Sequence, residues 1–368
     1  MPLDTAVIGA GTVSGTHLSG TAKNPRTNLV GVCDTDEQSA RDAASSYGIA
    51  AYTDLGEMLA DRSLDWLHVC TPVQTHLPIA KQAIAAGVPL LIEKPVTETL
   101  DEVEELSRLA DENDVPVSPV HQHLFRPAVL TAREMIRSGE LGRIRAVDLV
   151  FAGNTPPDDV NRGSWVFDLP GGEFEEGLPH PLYLLLGLGG YPTDRSDVDV
   201  RTALAGDYDH PFDYDSVQLQ YRTADDVLCN ATMFGGGRPK REITIHGEEK
   251  TVTIDNHLQM IEVIDSDFTQ SPVKKTKQAL REAGGRLTGI ANNARLVAET
   301  SFSDDWETEK RGTSHYEQFD RTAKALETGS EMPVPLSSAR WTITLMHEIR
   351  EAASDETSRQ VTQRIDPV

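Results

Sequence analysis

The pattern of apolar and polar positions changes along the chain and divides it into two parts. In the first part, short apolar runs alternate with amphipathic stretches. The runs predict buried strands at 5–8, 29–33, 66–70, 89–92 and 115–120. The stretches between them predict helices at 13–23, 36–47, 53–60, 75–86 and 100–113. Strands and helices that alternate over short links indicate a doubly wound, parallel α/β sheet.

The second part is dominated by strands. Alternating positions predict strands at 144–151, 216–221, 227–233, 242–246 and 251–255. Helical patterns return at 314–328 and 337–353. A chain of 368 residues is too long for one ordinary core, so we expect two domains.

Charge is the strongest compositional signal. The formal net charge is −24, with 58 acidic residues against 10 lysines and 24 arginines. A dispersed acidic surface with little lysine predicts a halophilic protein, because molar salt screens its self-repulsion. The same charge argues against nucleic acid or anionic membranes as partners.

The N-terminal segment and the spacing of the cysteines predict the cellular compartment and the state of the thiols. The N-terminal residues do not resemble a signal peptide, and no apolar run is long enough for a bilayer, so we expect a cytoplasmic protein. The three cysteines (Cys33, Cys70 and Cys229) are far apart in sequence. That spacing favours free thiols over a disulfide framework, and we expect no metal site.

A glycine-rich turn follows the first strand. Gly9 allows a tight turn, and Gly11 lets the backbone approach a pyrophosphate. Thr12 and Val13 lead into a helix whose N-terminal amides suit phosphate groups. The third glycine of the pattern is replaced by Ser14, so the match is imperfect. These residues predict a dinucleotide site.

Asp34 ends the second strand, where a carboxylate can accept hydrogen bonds from a ribose. It would repel a 2′-phosphate, and residues 35–37 contain no arginine to neutralise one. We therefore expect NAD to be preferred, with NADP possible. The alternative is that Asp34 caps the following helix.

The strand at 89–92 ends on Glu93, Lys94 and Pro95. In an open parallel sheet, ligands bind beyond the carboxyl ends of the strands, so Lys94 is expected to face the binding crevice. Proline lacks an amide hydrogen and stops the strand. The alternative is an ordinary surface ion pair between Glu93 and Lys94.

These motifs occur in the order found in a known family. The chain resembles the glucose–fructose oxidoreductase/inositol dehydrogenase (Gfo/Idh/MocA) family over nearly its whole length. The resemblance is carried by Gly9-Ala-Gly11, Asp34, Thr71-Pro72 with His76, Glu93-Lys94-Pro95, Phe125-Arg126-Pro127 and residues 135–144. It adds Thr71, Pro72, His76 and Glu93 to the expected cofactor contacts, although His76 could instead be a local cap or packing residue.

The resemblance also implies an architecture. It places an N-terminal Rossmann domain at residues 1–122 and an α/β domain with a large, mostly antiparallel open sheet at 123–368. In this arrangement the C-terminal helix is able to pack back on the first domain. The open sheet commonly forms the oligomer interface in the family, so a homodimer or homotetramer is expected.

The second chemical motif contains Gly171, Gly172, Glu176 and His180. Relatives typically carry a glycine pair, an aspartate and, four residues later, a histidine; here Glu176 replaces the aspartate. Four residues make one helical turn, which would let the two side chains meet. We expect His180 to be the general base, Glu176 to orient it, and Lys94 to polarise the reacting oxygen or relay the proton. The alternative is that His180 caps a helix and Glu176 is solvated.

Further polar residues are candidates for the substrate pocket. Tyr183 stands where many relatives carry another aspartate. The other candidates are His121, Gln122, Arg162 and Trp165. Any one of them could equally be a loop or surface residue.

These observations predict an oxidoreductase that transfers a hydride between a nicotinamide cofactor and a secondary hydroxyl of a sugar, polyol or related ring. Redox-assisted elimination from a glycoside is an alternative, because Glu176 and Tyr183 depart from the family pattern. A dinucleotide-binding sensor is an alternative of another class, although the chain retains both Lys94 and His180.

Overall fold

The computed structural model describes residues 1–161, 163–265, 271–302 and 305–365. The chain forms two compact units. The first contains Met1–Phe125 and Ala298–Ile343, and the second contains Arg126–Val297 and the chain from Thr344 onward. Among the described residues, no helix is both long and apolar enough to cross a membrane.

The strands fall into two sheets, one in each unit. In chain order they are β1 (Leu3–Ile8), β2 (Thr27–Cys33), β3 (Ala50–Tyr52), β4 (Trp66–Val69), β5 (Leu90–Ile92), β6 (Val117–Pro119), β7 (Ile144–Ala152), β8 (Asp199–Ala203), β9 (Ser216–Arg222), β10 (Leu228–Phe234), β11 (Lys240–Gly247), β12 (Thr251–Asp255) and β13 (Met260–Ile264).

The helices connect and cover these sheets. They are α1 (Ser14–Lys23), α2 (Glu37–Tyr47), α3 (Leu55–Asp61), α4 (His76–Ala85), α5 (Leu100–Asn113), α6 (Pro127–Arg137), α7 (Gly172–Gly177), α8 (Pro179–Gly189), α9 (Pro272–Phe302), α10 (Trp306–Gly312), α11 (Ser314–Thr328) and α12 (Leu336–Ile365).

The first sheet has the order β3-β2-β1-β4-β5-β6, and all its described pairs are parallel. The direction of winding reverses between β1 and β4, which places a ligand crevice at the carboxyl ends of these strands. The predicted doubly wound parallel sheet is confirmed. Helices α2, α3 and α5 begin at side-chain caps, and α5 has a capping box in which Thr99 and Glu102 satisfy each other's backbone amides.

Helices pack on both faces of the first sheet. On one face, Ile8, Leu67 and Ile92 form a core with residues of α3, α4 and α5. On the other, Trp66, Leu91 and Val120 pack against aromatic residues of α10 and α11. The predicted helix at 314–328 is confirmed, and its segment completes the core of the first unit.

The second sheet has the order β13-β12-β11-β7-β10-β9-β8. Among its described pairs only β7 and β10 are parallel, so the predicted, mostly antiparallel sheet is confirmed. One face is apolar and carries Leu149, Ala231 and Ile243, whereas the other carries polar residues such as Asp148 and His246. This alternation is typical of a sheet that is covered on one side.

Several elements differ from the sequence-based expectations. The short strands β3, β8 and β13 and the helices α6 and α9 were not predicted. In α9 the large apolar residues Leu280, Leu287 and Ile290 are exposed, so the helix buries too little to give a clear amphipathic pattern. The predicted helix at 337–353 is longer and spans Leu336–Ile365.

Candidate functional site

The glycine-rich turn of the first unit has the geometry of a phosphate cradle. Gly9 has a positive φ of 96°, and a Cβ there would lie 2.6 Å from the carbonyl oxygen of Cys70, so only glycine fits. A Cβ on Gly11 would meet nothing within 4 Å, which leaves open space beside its backbone. Helix α1 begins after Val13, which makes no side-chain cap hydrogen bond, so the first amides remain available to an anion. These residues fit a pyrophosphate.

Ser14 replaces the third glycine without disturbing the turn. Its hydroxyl donates to the Gly11 carbonyl oxygen at 2.5 Å and is buried. Thr12 is exposed, and Val13 is 37 % exposed. Both residues therefore lie at the surface of the glycine-rich turn.

Asp34 bridges this turn and the segment that follows β2. One carboxylate oxygen accepts from the Ala10 amide at 2.7 Å, and the other accepts from the Asp36 amide at 2.9 Å. The alternative of Asp34 as helix cap is wrong, because Asp36 caps α2 through the amide of Ser39. A carboxylate has about four acceptor positions, so Asp34 retains capacity for ribose hydroxyls.

His76 connects two loops at the carboxyl edge of the sheet. Its Nε2 lies 2.8 Å from the Thr71 carbonyl oxygen, and its Nδ1 lies 3.0 Å from that of Pro95. The side chain is 2 % exposed, and burial lowers its pKa despite these carbonyl contacts. This position agrees with the packing alternative, and a direct cofactor contact of His76 stays a prediction. Pro72, by contrast, is exposed.

Glu93 is an interior residue, so the alternative of a surface ion pair is wrong. It is 6 % exposed, one oxygen lies 2.9 Å from His17 Nε2, and the other accepts from the Lys94 amide at 3.1 Å. Burial alone would raise the pKa of Glu93. The hydrogen bond from His17 and the charges of His17, His315 and Lys94 outweigh it and lower this pKa to about 2. Glu93 is therefore an anion at neutral pH.

A second histidine supports this carboxylate. His17 Nδ1 lies 2.9 Å from His68 Nδ1, and both side chains are fully buried. Burial lowers the pKa of His68 well below its usual value, and the charge of His17 lowers it further. His68 is therefore neutral. Its Nδ1 can donate or accept, and either arrangement lets His17 Nε2–H donate to Glu93. This network could not be predicted from the sequence, because His68 and Glu93 are 51 and 76 residues away from His17.

Lys94 lies immediately beyond β5, at the carboxyl edge where it was expected. Its amide is bound by Glu93, and the next residue, Pro95, follows a cis peptide bond and contacts His76 through its carbonyl oxygen. The backbone of Lys94 is therefore held on both sides, while its side chain is partly exposed.

In the second unit, close contacts with neighbouring atoms require glycine at both positions of the glycine pair. Gly172 has a positive φ of 56°, and a Cβ there would overlap the Pro157 carbonyl oxygen. A Cβ on Gly171 would lie 2.9 Å from the ring of Tyr214. Any larger residue would push α7 away from its neighbours.

A buried carboxylate fixes α7. Glu175 is 1 % exposed and accepts from the Gly171 amide and the Tyr214 hydroxyl, both at 2.8 Å. Its other oxygen accepts from Arg350 at 2.7 Å. The ion pair with Arg350 compensates for the free energy of burying the Glu175 charge. It also sets the position of the adjacent Glu176.

His180 has a tyrosine beside it. Helix α7 ends at Gly177 and α8 begins at Pro179, and Leu178 between them has right-handed helical dihedral angles. His180 Nδ1 lies 2.9 Å from the Tyr183 hydroxyl. Nδ1–H donation to that oxygen leaves Nε2 able to accept a proton. An orienting role for Glu176, which is partly exposed, stays a prediction.

The remaining candidates lie in different surroundings. In the first unit, His121 is 1 % exposed and contacts Ser338 at 3.2 Å, and burial lowers its pKa to about 3. Gln122 is also buried there. In the second unit, Trp165 is 46 % exposed and Tyr183 is fully buried. Arg162 lies outside the described residues.

One open cavity lies away from all these residues. It has a volume of about 670 Å³ and is lined by the end of α8 and by neighbouring residues, including Ile136, Arg143 and Asp225. None of the expected site residues lines it, so it is not the candidate site.

The comparisons with known proteins agree with this geometry. Residues 3–121 match the description "Oxidoreductase family, NAD-binding Rossmann fold", and residues 129–253 match "GFO/IDH/MocA C-terminal domain". The chain is 26% identical over 278 residues to inositol 2-dehydrogenase of Rhizobium meliloti, which covers 73% of this chain and 80% of that protein.

Two solved structures share the fold. One is an oxidoreductase from Agrobacterium radiobacter in complex with NAD⁺, L-tartaric acid and magnesium, with a TM-score of 0.74, 16% identity and 97% of each chain covered. The other is the WlbA dehydrogenase from Bordetella pertussis in complex with NADH and UDP-GlcNAcA, with a TM-score of 0.70, 19% identity, and 97% of this chain and 98% of that one covered.

Proposed function

The chain belongs to the Gfo/Idh/MocA oxidoreductase family, and from this premise we propose that it transfers a hydride between NAD and a secondary hydroxyl of a sugar, polyol or related ring. The observation that carries the proposal is Lys94, held on both sides at the carboxyl edge of the NAD-binding sheet. The similarity to inositol 2-dehydrogenase supports a hydroxylated ring as substrate.

The cofactor is assigned to the first unit. The backbone at Gly9, Gly11 and Val13 would bind the pyrophosphate, and Asp34 would bind the adenosine ribose. The carboxylate of Asp34, without a nearby arginine at 35–37, favours NAD over NADP. When bound, NAD supplies the acceptor for the two electrons that leave the substrate carbon.

The protein's own groups handle the proton. His180 accepts the hydroxyl proton at Nε2, and Tyr183 holds the imidazole through Nδ1. The ammonium of Lys94 stabilises negative charge that develops on the substrate oxygen. The charge of Lys94 is one of the causes that lower the pKa of Glu93, so the two residues attract each other as opposite charges. Glu176 is assigned to the orientation of His180 or to a ring hydroxyl.

The substrate pocket is assigned to His121, Gln122, Trp165 and Tyr183, together with Arg162 outside the described residues. Trp165 is exposed enough to stack on the apolar face of a sugar ring.

The test is NADH formation, followed by absorbance, from a panel of aldoses, polyols, inositols and sugar acids. NAD and NADP are compared in parallel, at low and at molar KCl. Turnover of at least one compound with NAD supports the proposal. NAD binding, measured separately, combined with no turnover on any compound, would contradict it.

A second reaction class uses the same groups. If oxidation is transient and followed by elimination from a glycoside, the product appears without net NADH. The departure of Glu176 and Tyr183 from the family's aspartates supports this candidate. Product analysis with catalytic NAD separates the two reactions, and NAD binding without either product would identify a sensor.

A further inference from the structure

An arginine ends the apolar face of the second sheet. In register, Arg241 of β11 lies beside Phe151, which lies beside Met233 of β10. The neighbouring row on the same face consists of Ile243, Leu149 and Ala231, all of them buried. Arg241 therefore stands at the rim of the core, where a further apolar residue would continue the pattern.

The guanidinium of Arg241 packs on an aromatic ring. Its carbon lies 4.7 Å from the centre of the Phe151 ring, which is a cation–π contact. In the described part of the chain, no carboxylate forms an ion pair with Arg241, although the sequence contains 58 acidic residues. Burial also lowers the pKa of Arg241. A charge that is partly withdrawn from water normally has a counterion.

A second arginine is held at the same place. Arg126 donates to the Asn256 carbonyl oxygen at 2.6 Å, and the Asn256 amide donates to the Arg241 carbonyl oxygen at 2.7 Å. Asn256 is 1 % exposed and thus links the two arginines rigidly. Burial and the charge of Arg241 both lower the pKa of Arg126, whereas Tyr183 raises it. The fold therefore keeps two like charges close together.

The same end of the sheet carries the α7–α8 junction. Gly189, at the end of α8, packs against Cys229 and Val147, whereas Phe174 of α7 lies beside Gly235, just beyond β10. From Gly189 back to His180 the helix rises by roughly 14 Å. From Val147 to Phe151 the strand advances by roughly 13 Å. His180 and Tyr183 therefore lie toward the end of the sheet that carries Phe151 and Arg241.

We propose that Arg126 and Arg241 bind an anionic group of the substrate, either a carboxylate or a phosphate ester on the sugar. This inference rests on the proposed function and narrows its substrate class. Guanidinium groups bind planar or tetrahedral oxyanions through paired N–H donors, and one anion between two arginines removes their repulsion. Phe151 beneath Arg241 keeps that guanidinium in place for the contact.

The first experiment measures binding and does not depend on turnover. Malonate and inorganic phosphate, as carboxylate and phosphate probes, are titrated into the NAD-loaded protein by calorimetry at constant ionic strength. We expect at least one probe to bind saturably, with affinity at least tenfold weaker in Arg241→Leu and only partly weakened in Arg241→Lys. The probe that binds identifies the class of anion.

A matched control is Arg222→Leu. Arg222 lies on β9 and pairs with Asp226 in an exposed ion pair, so its loss should leave binding unchanged. Circular dichroism and thermal unfolding establish that each variant folds. If neither probe binds saturably, or if the wild type and Arg241→Leu bind with equal affinity, the inference is overturned. An equal loss of affinity in Arg222→Leu would also overturn it, because it would identify the bound probe as an adventitious ion only.

The second experiment uses turnover of glucose, glucuronate and glucose 6-phosphate. We expect an anionic sugar to be preferred by about 100-fold in kcat/KM, with Arg241→Leu raising its KM and changing kcat little. Anion binding that depends on Arg241, without turnover of any sugar in the wider panel, would preserve this site and contradict the proposed function. Turnover of neutral sugars without anion binding would do the reverse.

Discussion

The two units hold their reactive side chains by different means. In the first, Lys94 follows a carboxylate that is buried, ionised and bonded to His17, with His68 behind it. In the second, His180 is partly exposed, and its Nδ1 lies 2.9 Å from the hydroxyl of Tyr183. The comparison shows that a charged network can fix a backbone, whereas a neutral hydrogen bond orients a ring that must still change its protonation state.

Removal of the lysine should have the largest effect on this comparison. In Lys94→Ala, kcat should fall by roughly 10³–10⁴-fold, since the ammonium proposed to stabilise the charge on the substrate oxygen is lost. NAD affinity, measured by calorimetry, should change little because the glycine-rich turn is untouched. Parallel loss of NAD binding and activity would show that Lys94 is structural instead.

Breaking the charged network should cost stability. His17→Leu removes the described side-chain donor to Glu93 and leaves a buried carboxylate poorly compensated, so the free energy of unfolding should drop by about 3–5 kcal/mol. Urea denaturation measures it. Ser19→Ala is the matched control on the same helix, because it loses only a hydrogen bond to Tyr316 and should cost about 1 kcal/mol. Equal losses in the two variants would contradict a special role for the Glu93 pair.

The same network predicts a pH dependence. The pKa of Glu93 is lowered from 4.5 to about 2 in the folded state, so its contribution to stability is complete above pH 4.5 and is lost as the pH falls from 4.5 to 2. We therefore expect the stability advantage of the wild type over Glu93→Gln to shrink across that window. A constant difference between pH 5 and pH 2 would show that Glu93 is not ionised in the fold.

The neutral contact should be less costly to break. Tyr183→Phe removes the described partner of His180 Nδ1, and kcat should fall by about 10-fold with a displaced acidic limb in the pH–rate profile, because that limb reports the pKa of a general base. Tyr221→Phe is the control, because Tyr221 is another buried tyrosine that donates to the Gly190 carbonyl oxygen. An unchanged pH profile in Tyr183→Phe, beside a similar loss of rate in Tyr221→Phe, would reduce Tyr183 to a packing residue.

The smallest effect concerns cofactor choice. Asp34→Ser removes the carboxylate that disfavours a 2′-phosphate, so the ratio of kcat/KM for NAD to that for NADP should fall by about 10-fold. If Asp34→Ser lowers kcat/KM equally for NAD and NADP, Asp34 acts by holding the glycine-rich turn through the Ala10 amide and not by binding the ribose.

The sequence was most informative where one residue type is required by local geometry. Gly9 needs its positive φ, the capping box from Thr99 to Glu102 is only four residues long, and Lys94 follows a short apolar strand, so each could be identified from neighbouring residues. The parallel sheet was predictable for the same reason, because its strands and helices alternate regularly.

Contacts between distant residues were not predictable in this way. His17 meets Glu93 across 76 positions, and the fold around Asn256 brings Arg126 and Arg241 together. The contact between His180 and Tyr183 could not be predicted either, because the family pattern has a carboxylate at the position of Tyr183. Helix α9 was missed because its apolar residues remain largely exposed.

The return of α10 and α11 to the first unit has a consequence for biosynthesis. Trp66, Leu91 and Val120 are translated before residues 126–297, whereas Trp306 and Phe319, which cover them, are translated after that segment. The first unit therefore cannot close its core until residues 126–297 of the second unit have been translated. A fragment that ends at Phe125 would expose this apolar face. Residues 1–125 therefore cannot be exchanged as an independently folding domain.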